Sequence, residues 1–74
     1  MNTQEFLVRF AGVLEVPVEG FDESFQLNGG NWDSLSHLSA IALIDEMYGI
    51  SVPTSDLVDC TSVADVMKLV SQRL

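Results

Sequence analysis

The sequence predicts an all-α domain: three longer helices, one short helix and a long first loop. Three observations carry that reading. Apolar residues recur at spacings of three and four in three separate stretches, and glycine or proline stands where two of those stretches should stop. No stretch alternates with the period of two that a half-buried strand requires. The chain has 74 residues, 47% of them hydrophobic, so it is read as one small domain, residues 1–74, with enough apolar side chain to fill its core.

In chain order, Thr3 can cap a first helix whose apolar positions Phe6, Leu7, Phe10, Val13 and Leu14 form one buried stripe. Pro17 ends it, because the residue before a proline is pushed out of helical geometry. Gly12 costs about 1 kcal/mol there relative to alanine, and close packing against a neighbour is the expected reason for it. From Val18 to Asp33 no period survives; Phe21, Phe25 and Leu27 are expected to tether this long loop, with a helical turn around Asp22 to Gln26. A calcium loop over Asp22 to Asp33 fails in detail, since Leu27 holds the sharp-turn glycine position and Asp33 replaces the final bidentate glutamate.

The second helix runs from Ser34 to about Tyr48. On a helical wheel Leu38, Ile41, Ile44 and Tyr48 share one arc, with Ala40 and Met47 at its edge, and are expected in the core. Ser36, Ser39, Asp45 and Glu46 lie outside that arc, while Leu35, Ala42 and Leu43 fall toward the polar side. Apolar residues exposed beside carboxylates make a partner-binding surface; the alternative is a wide apolar helix packed on two neighbours. Asp33 is placed as the N-cap, which leaves Ser34 as the first helical residue, either an ordinary first-turn serine or a hydroxyl held out for another molecule.

Gly49 closes this helix, and Pro53 opens a short one over Thr54 to Asp59 with Leu57 and Val58 inward. Ser62-Val63-Ala64-Asp65 is an approximate capping box. Val63, Val66, Met67, Val70 and Leu74 then form the stripe of the last helix.

Charge narrows the function. Three basic residues stand against eleven acidic ones, a formal net charge of −8. That field repels nucleic-acid phosphates and anionic lipid headgroups, and points to basic protein surfaces as partners, or serves solubility alone. Cys60 is the single cysteine, so no internal disulfide forms, and no Cys/His cluster has metal-site spacing. The first fifteen residues interleave Glu5, Arg9 and Glu15 with apolar positions, which is neither a signal peptide nor a membrane span. A soluble, cytoplasmic monomer is expected.

Catalysis lacks parts. The one histidine, His37, stands a helical turn after Ser34, but the wheel places it toward the apolar arc, where a half-buried, satisfied histidine is expected. There is no nucleophile elbow, and a chain this short has little room for a deep substrate pocket. Cys60 has no cationic neighbour in sequence and reads as a small buried hydrophobe.

The helix order, the acidity, Asp33-Ser34-Leu35, the Asp45-Glu46 pair before Tyr48-Gly49-Ile50, and Ser62-Val63-Ala64-Asp65-Val66 together resemble the acyl carrier protein family over nearly the whole chain. The resemblance implies a four-helix acyl-carrier-like bundle that is a carrier and not an enzyme. Ser34 would receive 4'-phosphopantetheine from coenzyme A through a separate phosphopantetheinyl transferase, and the arm's thiol would hold an acyl or aminoacyl group as a thioester. Asp33 would lie beside the transferase's metal and coenzyme site. The implied partner contacts are Trp32, Leu35, Ser36, Ser39, Ala42, Asp45 and Glu46, facing the loading enzyme and the downstream biosynthetic enzymes. Leu38, Ile41, Ile44 and Tyr48 would line the interior, where some members fold a fatty chain.

The chain also departs from that family. Ser36, His37 and Ser39 stand where fatty-acid carriers place further acids after the serine. Trp32 precedes the motif in place of a smaller residue, where it would add a large contact beside the arm. Asn31 replaces a frequent glycine, a change that a left-handed backbone at asparagine would accommodate. These changes favour a specialised carrier serving polyketide-like or other secondary biosynthesis. An aminoacyl or peptidyl carrier, and an unmodified helical adaptor that binds a basic partner, remain as alternatives.

Overall fold

The computed structural model describes residues 2–74. Four helices follow one another: α1 (Thr3–Leu14), α2 (Ser34–Tyr48), α3 (Thr54–Val58) and α4 (Val63–Arg73). There is no strand among the described residues; an isolated bridge pairs Gln26 with Ser62. The all-α bundle of three longer helices, one short helix and a long first loop is therefore the observed architecture.

Phe6, Phe10, Ala11 and Leu14 form the buried stripe of α1, with Leu7 and Val13 half-buried at its edges. Phe6 and Phe10 are tilted against each other with centroids 5.4 Å apart, and each reaches a further ring, Tyr48 and Trp32 respectively. The helix is capped one residue before Thr3: the Asn2 side chain accepts from the Glu5 N–H at 3.0 Å. Its far end stops at Leu14, where Glu15 adopts a left-handed conformation (φ 58°) and Val16 N–H donates back to the Ala11 carbonyl. That is a Schellman ending without a glycine, so the helix ends before Pro17 can act. No close packing explains Gly12: a Cβ built there would meet nothing within 4 Å.

The long loop is fastened from within and from outside. Phe21 and Leu27 are buried, Phe25 half-buried, and the Phe21 and Phe25 rings pack tilted with centroids 4.8 Å apart. The expected helical turn at Asp22 is a single tight turn, closed by Phe25 N–H on the Asp22 carbonyl, with the Asp22 carboxylate accepting from Ser24 N–H. Leu27 N–H donates to Thr61, while Val63 and Ala64 at the start of α4 donate to the carbonyls of Phe25 and Glu23. Loop carbonyls thereby satisfy first-turn donors that α4 cannot satisfy itself.

α2 packs against both α1 and α3. Its buried set is His37, Ala40, Leu43 and Ile44, with Ile41 and Tyr48 half-buried. Two expectations fail here. Leu38 is 61% exposed, although the wheel put it in the core, and Leu43, put toward the polar side, is 8% exposed. The buried arc is rotated toward Ala40 and Leu43 because α3 covers a second flank of the helix, which a single-stripe wheel does not anticipate. The same limit applies to Val58 and Leu74, expected inward and found exposed, while Leu57, Val63, Val66, Met67 and Val70 are buried as expected.

Ser62 caps α4 by accepting from Asp65 N–H at 3.3 Å. The return half of the box is displaced by one residue, because the shorter aspartate reaches Thr61 N–H and the Thr61 hydroxyl, both at 3.0 Å. An Arg73–Asp56 ion pair joins the end of α4 to α3.

Candidate functional site

The approach to α2 is set by a turn at Asn28, whose carbonyl accepts from both Asn31 and Trp32. Asn31 is not left-handed; among the described non-glycine residues only Glu15 has positive φ. Asn31 instead holds the turn through its amide, accepting from Asn28 N–H at 3.0 Å and donating to the Gln26 carbonyl at 3.3 Å. This turn sends the Trp32 ring inward. It is 8% exposed, packs on Phe10 and, edge to face, on His37 at 4.6 Å, and its indole N–H donates to the Leu57 carbonyl at 2.8 Å. Trp32 is thus part of the core and not the broad surface contact expected of it. Burying so large an apolar ring outweighs leaving it in water once its one polar atom has a partner.

Asp33 caps α2: Oδ1 accepts from Ser36 N–H at 3.0 Å and from the Ser36 hydroxyl at 3.1 Å. The backbone N–H bond first, and the hydroxyl second, hold its carboxyl below the usual aspartate value. The single Ser36 hydroxyl hydrogen is shared between that carboxylate and the Asn31 carbonyl, 2.9 Å away, so the hydroxyl is committed to the cap, and the residue is half-buried. Ser34 follows as the first residue of α2. It is exposed, and its side chain is engaged with no other described residue.

Beyond Ser34, Leu35, Leu38, Ala42 and Asp45 are all exposed and follow one another at spacings of three, four and three. They form one outward stripe of α2, in which Leu35 is 72% exposed. Glu46 is exposed as well, but its carboxylate lies 3.4 Å from Arg9, which also pairs with Glu5. Ser39 is half-buried and faces a groove between α1 and α2. Of the anticipated interior positions, Ile44 is fully buried, Ile41 and Tyr48 half-buried, and Leu38 lies outside.

His37 is buried as the wheel implied but not satisfied: Nε2 has no partner, nor does the Tyr48 hydroxyl. Cys60 is buried beside Asp56, Asp59 and Asp65. Burial first, and those carboxylates second, push its thiol up to about 11, which removes it as a nucleophile at neutral pH.

A small helical bundle that holds an unengaged serine at a helix start, between a groove and an apolar stripe, has the design of a scaffold that carries something for other proteins. Residues 4–70 match the family described as "Phosphopantetheine attachment site", and the chain belongs to that family. No curated protein and no solved structure matches it. The chain is accordingly a phosphopantetheine-carrying protein and a non-catalytic one, served by a phosphopantetheinyl transferase and by biosynthetic enzymes. The group supplies a thiol on a flexible arm, on which cargo is held as a thioester. The residues fit such a group: the Ser34 hydroxyl is open to solvent, and an attached phosphate would meet the positive end of the α2 dipole.

Proposed function

We propose that Ser34 bears the 4'-phosphopantetheine arm and that the chain shuttles an acyl group between enzymes of a specialised, polyketide-like pathway. The observation that carries the reading is the exposed, unengaged hydroxyl of Ser34, the first helical residue after the Asp33 cap. Asp33 orients that turn and, through its charge, is placed to contribute to the transferase's metal and coenzyme site.

Partner enzymes dock on the outward stripe of α2. Its front half, Leu35, Leu38 and Ala42, is apolar, and Asp45 and Glu46 follow behind. Leu38 therefore joins the docking surface, Trp32 leaves it, and Ser36 supports it from within the cap. An apolar front with acids only at the rear suits an enzyme surface that pairs a hydrophobic pocket with a few basic groups. It is a poor match to a uniformly basic one, which supports specialised over housekeeping fatty-acid biosynthesis. No helix among the described residues is long and apolar enough to cross a membrane. A cytoplasmic monomer is part of the proposal.

The test is the intact mass before and after incubation with coenzyme A, magnesium and a broad-specificity phosphopantetheinyl transferase. The parent chain gains one phosphopantetheine and Ser34→Ala gains none. A folded, previously unmodified parent that gains nothing would instead be a helical adaptor. Loaded protein that drives efficient fatty-acid elongation would overturn the specialised pathway.

A further inference from the structure

The groove between α1 and α2 has a volume of about 530 Å³. Asp33 and Leu35, the chain neighbours of Ser34, both line it; Arg9, Gly12 and Val13 contribute from α1, and Ser39 from α2. It thus adjoins the proposed attachment point directly.

Two features of this groove have no explanation in the fold. Gly12 sits in the interior of α1, where glycine is less favourable than alanine, yet it has no positive φ and no neighbour within 4 Å of a Cβ. Neither backbone strain nor packing requires it. What the missing side chain does is keep one wall of the groove low. The lining, moreover, mixes polar and charged residues, Ser39, Asn31, Asp33 and Glu15 among them, with the apolar Val13 and Leu35. An arm built of amides separated by short aliphatic links suits so mixed a lining; a plain lipid tail does not.

We infer that the α1–α2 groove is the resting site of the arm carried by Ser34, and that Gly12 is the residue that keeps it open. The inference rests on the Ser34 assignment. Because the arm is tethered at the groove, a high effective concentration lets weak contacts suffice. Leu35 belongs both to the groove and to the docking stripe, so a partner that takes hold of Leu35 also releases the arm. The arm is held against the body between visits and freed on docking.

The experiment compares amide chemical shifts of ¹⁵N-labelled protein without and with the arm, in the parent and in Gly12→Leu and Gly12→Ala. In the parent, loading shifts the amides of Gly12, Val13 and Ser39. In Gly12→Leu, which loads to the same mass and stays helical, those shifts are lost, and in Gly12→Ala they shrink. Shifts confined to Ser34 and its immediate neighbours in a fully loaded parent overturn the inference, as does an unchanged pattern in Gly12→Leu. A parent that gains no mass, or a Ser34→Ala variant that gains it, overturns the Ser34 assignment instead and is recognised before any spectrum is compared.

Discussion

The Trp32 indole N–H donates to the Leu57 carbonyl across 2.8 Å, tying the residue two before Ser34 to the short helix α3. Because Leu57 is itself fully buried, this bond joins the loop's last residues to the centre of the core. Trp32→Phe keeps most of the ring and loses the bond, at a cost of about 1 kcal/mol. Trp32→Ala removes the ring and costs about 3–5 kcal/mol, comparable to the whole stability of so small a domain. Urea denaturation followed by circular dichroism measures both, and a Trp32→Ala protein with the parent midpoint would contradict the buried ring.

Leu38 and Ile44 look alike on a helical wheel and should behave oppositely. Ile44→Ala costs about 2–5 kcal/mol as a cavity substitution, while Leu38→Ser stays within about 0.5 kcal/mol of the parent. If the docking stripe is as proposed, Leu38→Ser weakens acyl transfer from a cognate loading enzyme without impeding arm attachment. Denaturation midpoints and transfer rates measured on the same preparations separate the two effects.

Acid should loosen the caps. Ser24 hydrogen bonds lower the Asp22 pKa, Ser36 that of Asp33, and Thr61 that of Asp65. A carboxylate whose pKa is lowered by folding adds stability that is fully present above its unfolded value, about 4, and is lost as pH falls through the folded value. The difference in thermal midpoint between the parent and Asp65→Asn should therefore be largest at neutral pH and shrink below about pH 4. Comparing the two proteins at each pH largely cancels the relief of charge repulsion that both gain on acidification. A difference that widens in acid would reverse the sign of the assigned shift.

The two thiols of the loaded protein should be chemically distinct. With Cys60 buried and pushed up to about 11, its alkylation near pH 8 should run about a hundred-fold slower than that of an ordinary exposed cysteine, and well behind that of the arm's exposed thiol. Iodoacetamide followed by mass spectrometry should give a single fast addition on loaded protein and none on unloaded protein, and denaturation should then add one more to each, for totals of two and one.

Helix order, the Asp33 cap and the position of Ser34 at the start of α2 were legible in the sequence, because caps and apolar spacing act over a few residues. The side chains that were misplaced are those decided over long range. Leu38 faces out because α3 packs against α2, and Trp32 turns in because a carbonyl twenty-five positions later receives its N–H. The ending of α1 carried no usable signal, since Glu15 occupies a conformation in which glycine is the usual sign. The orphaned Nε2 of His37 was equally invisible, since the wheel reports burial but not partners. Gly12 is visible in the sequence as a glycine inside an otherwise regular helix, but the close packing expected of it is absent.

The main-chain bonds from Leu27, Val63 and Ala64 stitch the long loop to the head of α4. Those ties, with the Asn28 turn and the Trp32 bond, leave the stretch leading to Ser34 little freedom to wander. A hoist whose mast sways cannot place its load however good its cable. With the arm on Ser34 as proposed, the mast is clamped at its base, so once the arm leaves its groove the spread of positions a cargo can reach is set by the length of its tether, and an enzyme that finds the body has already found the radius within which the cargo must lie.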